Sequence, residues 1–332
     1  MAPRRLAAVV LNHRTADETC RAVSSLVASH RPPDHLIVVD NDVADECRAH
    51  FASPRAPNSE SPGPSPEPRA PIPEVTYLHT GRNLGFSGGM NVGIRAALEA
   101  GADQVLLVNS DIVVSPECLG RLESALVDQP CGGIAGPLVL SHRHQDRVES
   151  AGIEYNRRTG RMRVLGVGTR AEDALSGPRG ADPDASSARR GVDAVSGCLM
   201  LVAREVFDAI GPFDEQYFFG FEDLDFCLRA REQGFSTLVV GGAVAYHEGG
   251  RTIGRASSRR FYFAARNHLL VASRRGRQEG SGARACRLVW VVALSLAHAV
   301  TAKTGFLPGR LFATARGVRD HLSGRYGPDP SA

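Results

Sequence analysis

The chain has 332 residues, 42% of them hydrophobic and 23% charged, with a net charge of +3. These are ordinary globular values, enough for one large α/β domain with a helical piece appended, and the near balance of charge gives no global sign of a nucleic-acid binder. Seven cysteines carry neither Cys-x-x-Cys nor Cys/His zinc spacing, which predicts reduced thiols in a cytosolic protein.

Met1 to Arg5 leads into the apolar run Leu6–Leu11, too short for the core of a signal peptide. That run predicts a strand covered on both faces. Asp17–Ala28 carries Ala22, Val23, Leu26 and Val27 at helical spacing, and Leu36–Val39 is a second buried strand ending in Asp40-Asn41. Residues 53–73 are crowded with Pro, Ser and Glu, which predicts a disordered insertion. Val75–His79 resumes as a strand, Met90–Ala100 is a predicted helix closed by Gly101, and Val105–Val108 is a buried strand running into Asn109-Ser110-Asp111. Pro116 opens a helix with Leu119, Leu122 and Leu126 on one side.

The second half is less regular. Residues 169–190 predict a flexible loop, and Val192–Val202 a strand broken at Ser196-Gly197. Glu205–Ile210 is a short helix, the aromatic segment Phe213–Phe221 leads into a helix from Glu222 to Gln233, and Leu238–Val240 and Ala243–Tyr246 are short apolar runs before His247. From Ala256 the pattern is helical and basic. No stretch reaches the ~20 apolar residues of a membrane span. The nearest, Leu288–Val300, reads as a helix packed on its own domain or as one lying at a membrane interface beside Arg274, Arg275, Arg277 and Arg287.

Repeated βα units predict a mostly parallel sheet with helices on both faces, and such sheets bind ligands at the carboxyl ends of their strands. Asn12, Asp40-Asn41 and Asn109-Ser110-Asp111 all stand there. Asp111 suits a hard divalent cation, Mg2+ or Mn2+, completed by substrate phosphates; its plain alternative is an Asp opening a turn. His247 is either structural or a second ligand near Asp111. Glu222, Asp223 and Asp225 open a helix, where acids favour the dipole. The apolar wall Tyr217–Phe221 before them would also raise a carboxylate's pKa and make it a better base. The glycines between Gly81 and Gly93 allow close approach to a phosphate or a ring, or simply build a tight loop. Within them, Gly85-Phe86-Ser87-Gly88-Gly89 has the Gly-x-Ser-x-Gly form of a hydrolase elbow, with Asp223 and His247 in suitable order, although the strand ends several residues too early. Gly166–Ala171 has the loose form of a dinucleotide fingerprint, in the wrong place.

Taken together, the chain resembles a family 2 glycosyltransferase of the rhamnosyltransferase-like group. The resemblance rests on ordered blocks: Val38–Asn41, Asn83–Phe86 through Gly93, Asn109–Asp111, Val195–Gly197 with Met200–Val202, Gly211–Glu215, Phe218–Arg229, His247 and Arg266-Asn267. It implies an α/β GT-A fold, Rossmann-like, with a C-terminal helical segment. The catalytic domain would cover 1–255 (nucleotide-binding half about 1–112, acceptor-side half about 113–255) and the helical extension 256–332. It implies an inverting transferase with a nucleotide-sugar donor, dTDP-rhamnose first and UDP-linked sugars second. The acceptor would be a glycan, a lipid-linked glycan or a small molecule, in the cytoplasm or peripherally on the inner face of the membrane through the C-terminal helices. Asp40 would contact the donor's base, with Asn12 and Asn41 nearby and Asn83, Gly85, Phe86, Gly89 and Asn91 in the loop closing on the nucleotide. Asn109 and Ser110 would also face the donor, with Asp111 and His247 holding the metal. Asp223 would be the base and Glu222 would position the acceptor. Three residues depart from the family pattern: Asn109 replaces its first metal acid, Ser110 stands where Pro is frequent, and His13 where Tyr is usual. A catalytically degenerate nucleotide-sugar binder, with that lone metal acid, and a serine hydrolase using Ser87 are the rival readings.

Overall fold

The computed structural model describes residues 4–45, 47–51, 73–129, 131–174, 188–248, 257–275, 280–303 and 305–329. Nearly all of the Pro-rich segment 53–73, most of the loop 169–190 and the expected domain boundary at 255/256 lie outside them.

In chain order the elements are β1 (Leu6–Asn12), α1 (Ala16–Val27), β2 (His35–Asp40), α2 (Arg48–Phe51), β3 (Glu74–His79), α3 (Gly85–Glu99), β4 (Gln104–Asn109), β5 (Ile112–Val114) and α4 (Cys118–Val127). Then come β6 (Gly132–Ser141), β7 (Val148–Ser150), β8 (Ile153–Tyr155), β9 (Met162–Val164), β10 (Arg189–Gly191), β11 (Leu199–Ala203), α5 (Arg204–Ile210) and α6 (Glu222–Glu232). β12 (Ser236–His247), α7 (Ser258–Arg274), α8 (Ser281–Thr301) and α9 (Leu307–Leu322) complete the described chain.

The main sheet runs β10-β12-β6-β11-β4-β1-β2-β3, with β5 on β12 and β7 on β6; β8 and β9 form a separate hairpin. β4, β1, β2 and β3 are mutually parallel, and β11 enters antiparallel beside β4. Alternation along β1 divides the core. Ala7, Val9 and Leu11 face α3, α5 and α6, whereas Leu6, Ala8 and Val10 face α1 and α4. Both faces are covered, which is why the strand reads as an unbroken apolar run. The parallel register sets Asn12 opposite Asp40, and Leu11 opposite Asn109. The polar strand ends therefore meet on one edge of the sheet.

Several expectations are corrected. α3 begins at Gly85, five residues before the expected Met90, and runs through the glycine-rich stretch. The helix must lie very close to the sheet: a Cβ on Gly93 would stand 2.2 Å from a Val9 methyl, and one on Gly89 2.6 Å from Leu11. Those glycines serve packing. The strand expected over 192–202 is β11, confined to Leu199–Ala203, while 238–246 is one strand with a register shift between Val240 and Val244. The ends of the loop expected over 169–190 are ordered, with a 3-10 turn at Ala171–Asp173 and β10 paired to β12. No disulfide joins the seven cysteines.

Gly93→Ala should lower stability by about 1–3 kcal/mol through overpacking against Val9. Denaturant unfolding measures it; an unchanged midpoint would show that α3 can shift off the sheet.

Candidate active site

A cleft of about 220 Å³ opens at the carboxyl ends of β1, β2 and β4. Of the residues singled out in the sequence, Asn41, Asn83, Gly85, Phe86, Asn109, Ser110, Asp111 and His247 line it. His13, Phe218, Phe219, Arg259 and Arg260 join them. Asn41 ties the end of β2 to the 83–85 loop: its amide donates to the Gly85 carbonyl at 2.9 Å, and its oxygen accepts from Leu84 N–H. Asn83 Oδ1 in turn accepts from Gly85 N–H.

Four expected donor residues are placed elsewhere. Asp40 is fully buried. One of its oxygens accepts from Asn12 Nδ2, and the other from the Tyr77 hydroxyl and Cys47 N–H. Asn12 Oδ1 accepts from Thr15 N–H and the Thr19 hydroxyl, which fixes the start of α1. Asn12 and Asp40 thus lock the ends of β1 and β2 together beneath the cleft. Asn91 is buried on the far side of α3's start, exchanging hydrogen bonds with the backbone of Phe213. Gly89 is packed on Leu11 and Asn41.

At the other end of the cleft, pairing decides which polar groups meet. β5 and β12 align Ile112 with His247, so Asp111 stands beside the imidazole, its oxygen 3.4 Å from Nε2. Nδ1 lies 2.8 Å from Glu149 on β7. A carboxylate behind one ring nitrogen orients the other, the arrangement that supports a metal-ligating histidine. Two ligands of an octahedral Mg2+ or Mn2+ lie about 3 Å apart, and such ions take one or two carboxylates plus substrate phosphates. Asn109 adds a buried, unpartnered Oδ1 on the same wall. The residues fit a divalent cation with phosphate oxygens completing its shell; no cluster of three or more His, Cys, Asp or Glu stands ready among the described residues. Burial opposes the His247 cation, but hydrogen bonds to Asp111 and Glu149 prevail and raise its pKa to about 9. Without a metal it is an imidazolium.

Glu222 and Asp223 open α6. Asp223 has a dedicated cradle: Gly197 N–H donates to one oxygen at 2.9 Å, and Leu224 N–H to the other at 2.7 Å. A Cβ on Gly197 would stand 3.1 Å from the Asp223 Cβ, so this approach needs glycine. Glu222 is buried with an unpartnered Oε2. Burial, then the charge of Asp223, pushes its pKa up to about 8, so near neutrality it holds its proton. Burial raises the pKa of Asp223 as well, opposed by its backbone donors. Beneath the site, burial and then the fields of Asp111, Asp223 and Glu149 push the Cys198 thiol up to about 12. Asp111, Asp223 and Glu149 thus all act on the Cys198 thiol, although neither Glu222 nor Asp223 lines the cleft itself. Asp225, by contrast, is tied to Arg229 and Arg275 as a structural ion pair.

The loop before Glu222 is held in an unusual shape. Phe218 and Phe221 have φ of 56° and 72°, a region costing a bulky residue about 1–3 kcal/mol. Asn267 and Arg266 of α7, both fully buried, hold it there. Asn267 Nδ2 lies within 2.9 Å of the carbonyls of Tyr217, Phe219 and Gly220, and Arg266 donates to those of Gln216 and Tyr217. The loop also reaches the donor side. Phe86 N–H donates to the Phe218 carbonyl, and Gly85, at φ 76°, has no room for a Cβ against Phe218.

Sequence reasoning missed Glu149, Arg259 and Arg260, and gave Gly197 no role. Arg259 Nε is buried without a partner among the described residues, on a helix start that lines the cleft. Only the β6–β7 pairing could have found Glu149, since nothing marks it in the sequence. The hydrolase reading is overturned: Ser87 is fully buried in the first turn of α3, away from the cleft and from any strand-to-helix elbow. Gly166–Ala171 forms a turn closed by Thr169 on Gly166, beyond β9 rather than in a βα unit.

Residues 3–268 match the family model described as glycosyltransferase like family 2. Among curated proteins, the chain is 28% identical over 171 residues to a dTDP-rhamnosyl transferase, RfbF, of Shigella flexneri, covering 52% of this chain and 51% of that one. It is 29% identical over 191 residues to an N-acetylglucosaminyl-diphospho-decaprenol L-rhamnosyltransferase of Mycobacterium tuberculosis, covering 55% and 62%. A galactofuranosyltransferase, GlfT1, of the same organism is 40% identical over 104 residues, covering 31% and 29%. The chain thus spans about half the length of the first of these and less than a third of the last. Among solved structures, a mannosyltransferase from Pyrobaculum calidifontis, in complex with GDP-Man and Mn2+, superposes with a TM-score of 0.54 at 14% identity, covering 97% and 88%. At these identities the likeness shows the fold, that of the GT-A glycosyltransferases.

Between about pH 4.5 and 8 the folded protein keeps a Glu222 proton that the unfolded chain has lost, so stability falls as pH rises through that window. Glu222→Gln should flatten this slope and leave the variant the more stable one above pH 8; melting temperatures across pH that run parallel for both proteins would refute it. Asn267→Ala should destabilise by about 1–3 kcal/mol per carbonyl stranded, and far more than the exposed Arg158→Ala in the same assay.

Proposed function

Because the chain belongs to the glycosyltransferase-like family 2, we propose that it is a glycosyltransferase, an inverting, metal-dependent enzyme using Asp223 as its base. The donor is proposed to be a nucleoside-diphosphate sugar, dTDP-rhamnose first, with UDP-linked sugars second. Support for rhamnose comes from the two relatives named for rhamnosyl transfer. The acceptor is proposed to be a hydroxyl of a glycan, a lipid-linked glycan or a small natural product, the relative named for a decaprenol-linked substrate favouring the second. The reaction is proposed to take place in the cytoplasm or at the inner face of the membrane.

The observation that carries this reading is the closeness of two environments to Cys198: Asp223 held by two backbone donors, and the Asp111–His247 pair backed by Glu149. A divalent cation bound there would offset the charge that the diphosphate gains as it leaves. The chain's own residues do the rest. Asn41 and Asn83 fix the loop over the nucleotide side of the cleft, while Arg259 and Arg260 bring positive charge to its wall. Asp223 takes the proton from the acceptor hydroxyl as its oxygen bonds to the anomeric carbon. The bond to the diphosphate oxygen breaks with its electron pair. Glu222, protonated, serves as a hydrogen-bond donor orienting the acceptor rather than as a second base. A single base, Asp223, acting on the acceptor hydroxyl would give attack from the side opposite the leaving group, hence inversion.

Asp223→Asn should lower transfer by about 10²–10⁴, the range for a general base, while donor affinity stays within about twofold. Radiolabelled donor turnover and calorimetric donor binding separate the two. Equal loss of both places the base elsewhere, and no turnover by the wild type despite donor binding favours a degenerate binder, a reading motivated by Asn109 in place of a metal acid. Chelation should abolish transfer and added Mn2+ or Mg2+ restore it; full activity in chelator would leave charge neutralisation to His247 and the arginines.

A further inference from the structure

α8 is long and apolar enough, by length and composition, to cross a membrane, with a mean hydropathy of 1.4 over its most apolar window. Its packing gives it a different place. One face is fixed on the domain: Arg287 is buried and donates to the Arg157 carbonyl, Gly160 fits against Val291, and Ser295 and Ala299 are buried. A helix docked in this way along its length presents only its other side. That side carries Ala285, Cys286, Val289, Ala293, Leu296 and Val300, all exposed and uncharged, at helical spacing. The stripe is roughly 22 Å long. Trp290 stands at its edge, 50% exposed. Past the end of α8, Phe306, Leu307 and Phe312 continue the apolar surface. A patch of this kind marks an interaction surface.

The charge around the patch says what covers it. From residue 257 onward the chain holds thirteen Arg and Lys but three acids, whereas the residues before 257 carry an excess of acids. Among the described residues of that C-terminal part the only carboxylates are Asp320 and Asp329, and both are buried. Arg284 and Lys303, the chain's one lysine, are exposed at the two ends of the stripe. An apolar stripe edged by tryptophan and bracketed by basic groups, with no exposed carboxylate among the described residues from 257 onward, is complementary to an anionic bilayer surface. A soluble protein partner would not require the missing acids.

We propose that the exposed face of α8, with the start of α9, lies in the headgroup region of a membrane containing anionic lipid, without spanning it. The placement orients the enzyme. The ring of Phe261, next to the cleft-lining Arg259 and Arg260, packs on His298 of α8 with centroids 5.2 Å apart, and Arg310 of α9 lies over it. The mouth of the cleft therefore adjoins the docked face. Resting on the transferase reading, this makes a lipid-borne acceptor the one the site is placed to meet; docking itself is independent of that reading.

The chain has one tryptophan, so Trp290 fluorescence reports docking without donor, acceptor or activity. With the full-length protein and vesicles containing phosphatidylglycerol, the emission should shift to the blue and be quenched by brominated acyl chains. Neutral phosphatidylcholine vesicles, or high salt, should bind at least about tenfold more weakly. Leu296→Asp and Lys303→Glu, both at exposed positions, should each weaken binding about tenfold or more with an unchanged circular dichroism spectrum. No shift with anionic vesicles overturns the proposal. So does a shift that depends on protein concentration alone, which would assign the face to a second copy of the chain. Docking without transfer would leave the proposal standing and count against the catalytic reading only.

Discussion

The site depends on a set of buried hydrogen bonds made by one helix, α7, to the loop before Glu222. Asn267 and Arg266, buried in α7, hold the carbonyls of residues 216–220. Without these donors, a loop with Phe218 and Phe221 at positive φ would relax toward ordinary backbone, because each such residue opposes folding. The loop decides where α6 begins, and α6 carries Glu222 and Asp223. α7 is therefore part of what shapes the candidate site. The family match itself ends at residue 268, just past Asn267.

Much of this was legible in the sequence where a pattern is local. The apolar runs of β1, β2 and β4 locate the strands, and their polar ends fall on one edge because parallel pairing allows little else. Glu222 and Asp223 were legible as a helix start after an aromatic wall. Legibility fails where distant segments decide. The glycines between Gly81 and Gly93 were read as approaching a phosphate or a ring or as a tight loop, yet Gly89 and Gly93 are glycines because α3 presses on Leu11 and Val9. Asp40 and Asn12 were read as facing the donor, yet burial and mutual hydrogen bonding make them the brace beneath it. Glu149 had no mark at all until β7 paired with β6.

The electrostatics follow from the same placement. Two acids adjacent in sequence are both pushed up by burial, but Asp223 has two backbone donors opposing that push, whereas Glu222 feels the charge of Asp223 and leaves an oxygen unpartnered among the described residues. Across the cleft, His247 is oriented by Glu149 and so turns Nε2 toward Asp111. Each group's protonation is fixed by a neighbour that the reaction does not consume.

The contact between Phe218 and the 85–86 turn joins two halves of the site that would otherwise be separate. The same carbonyl that Phe86 N–H holds belongs to the loop that seats α6. A ligand that tightens the nucleotide side acts on this carbonyl, and an acceptor pressing on the aromatic loop acts on the turn. By reciprocity, whatever effect one has on the other's affinity is returned by the same factor, whichever enters first. The steric seam at Gly85 is the point in the backbone through which such coupling would pass.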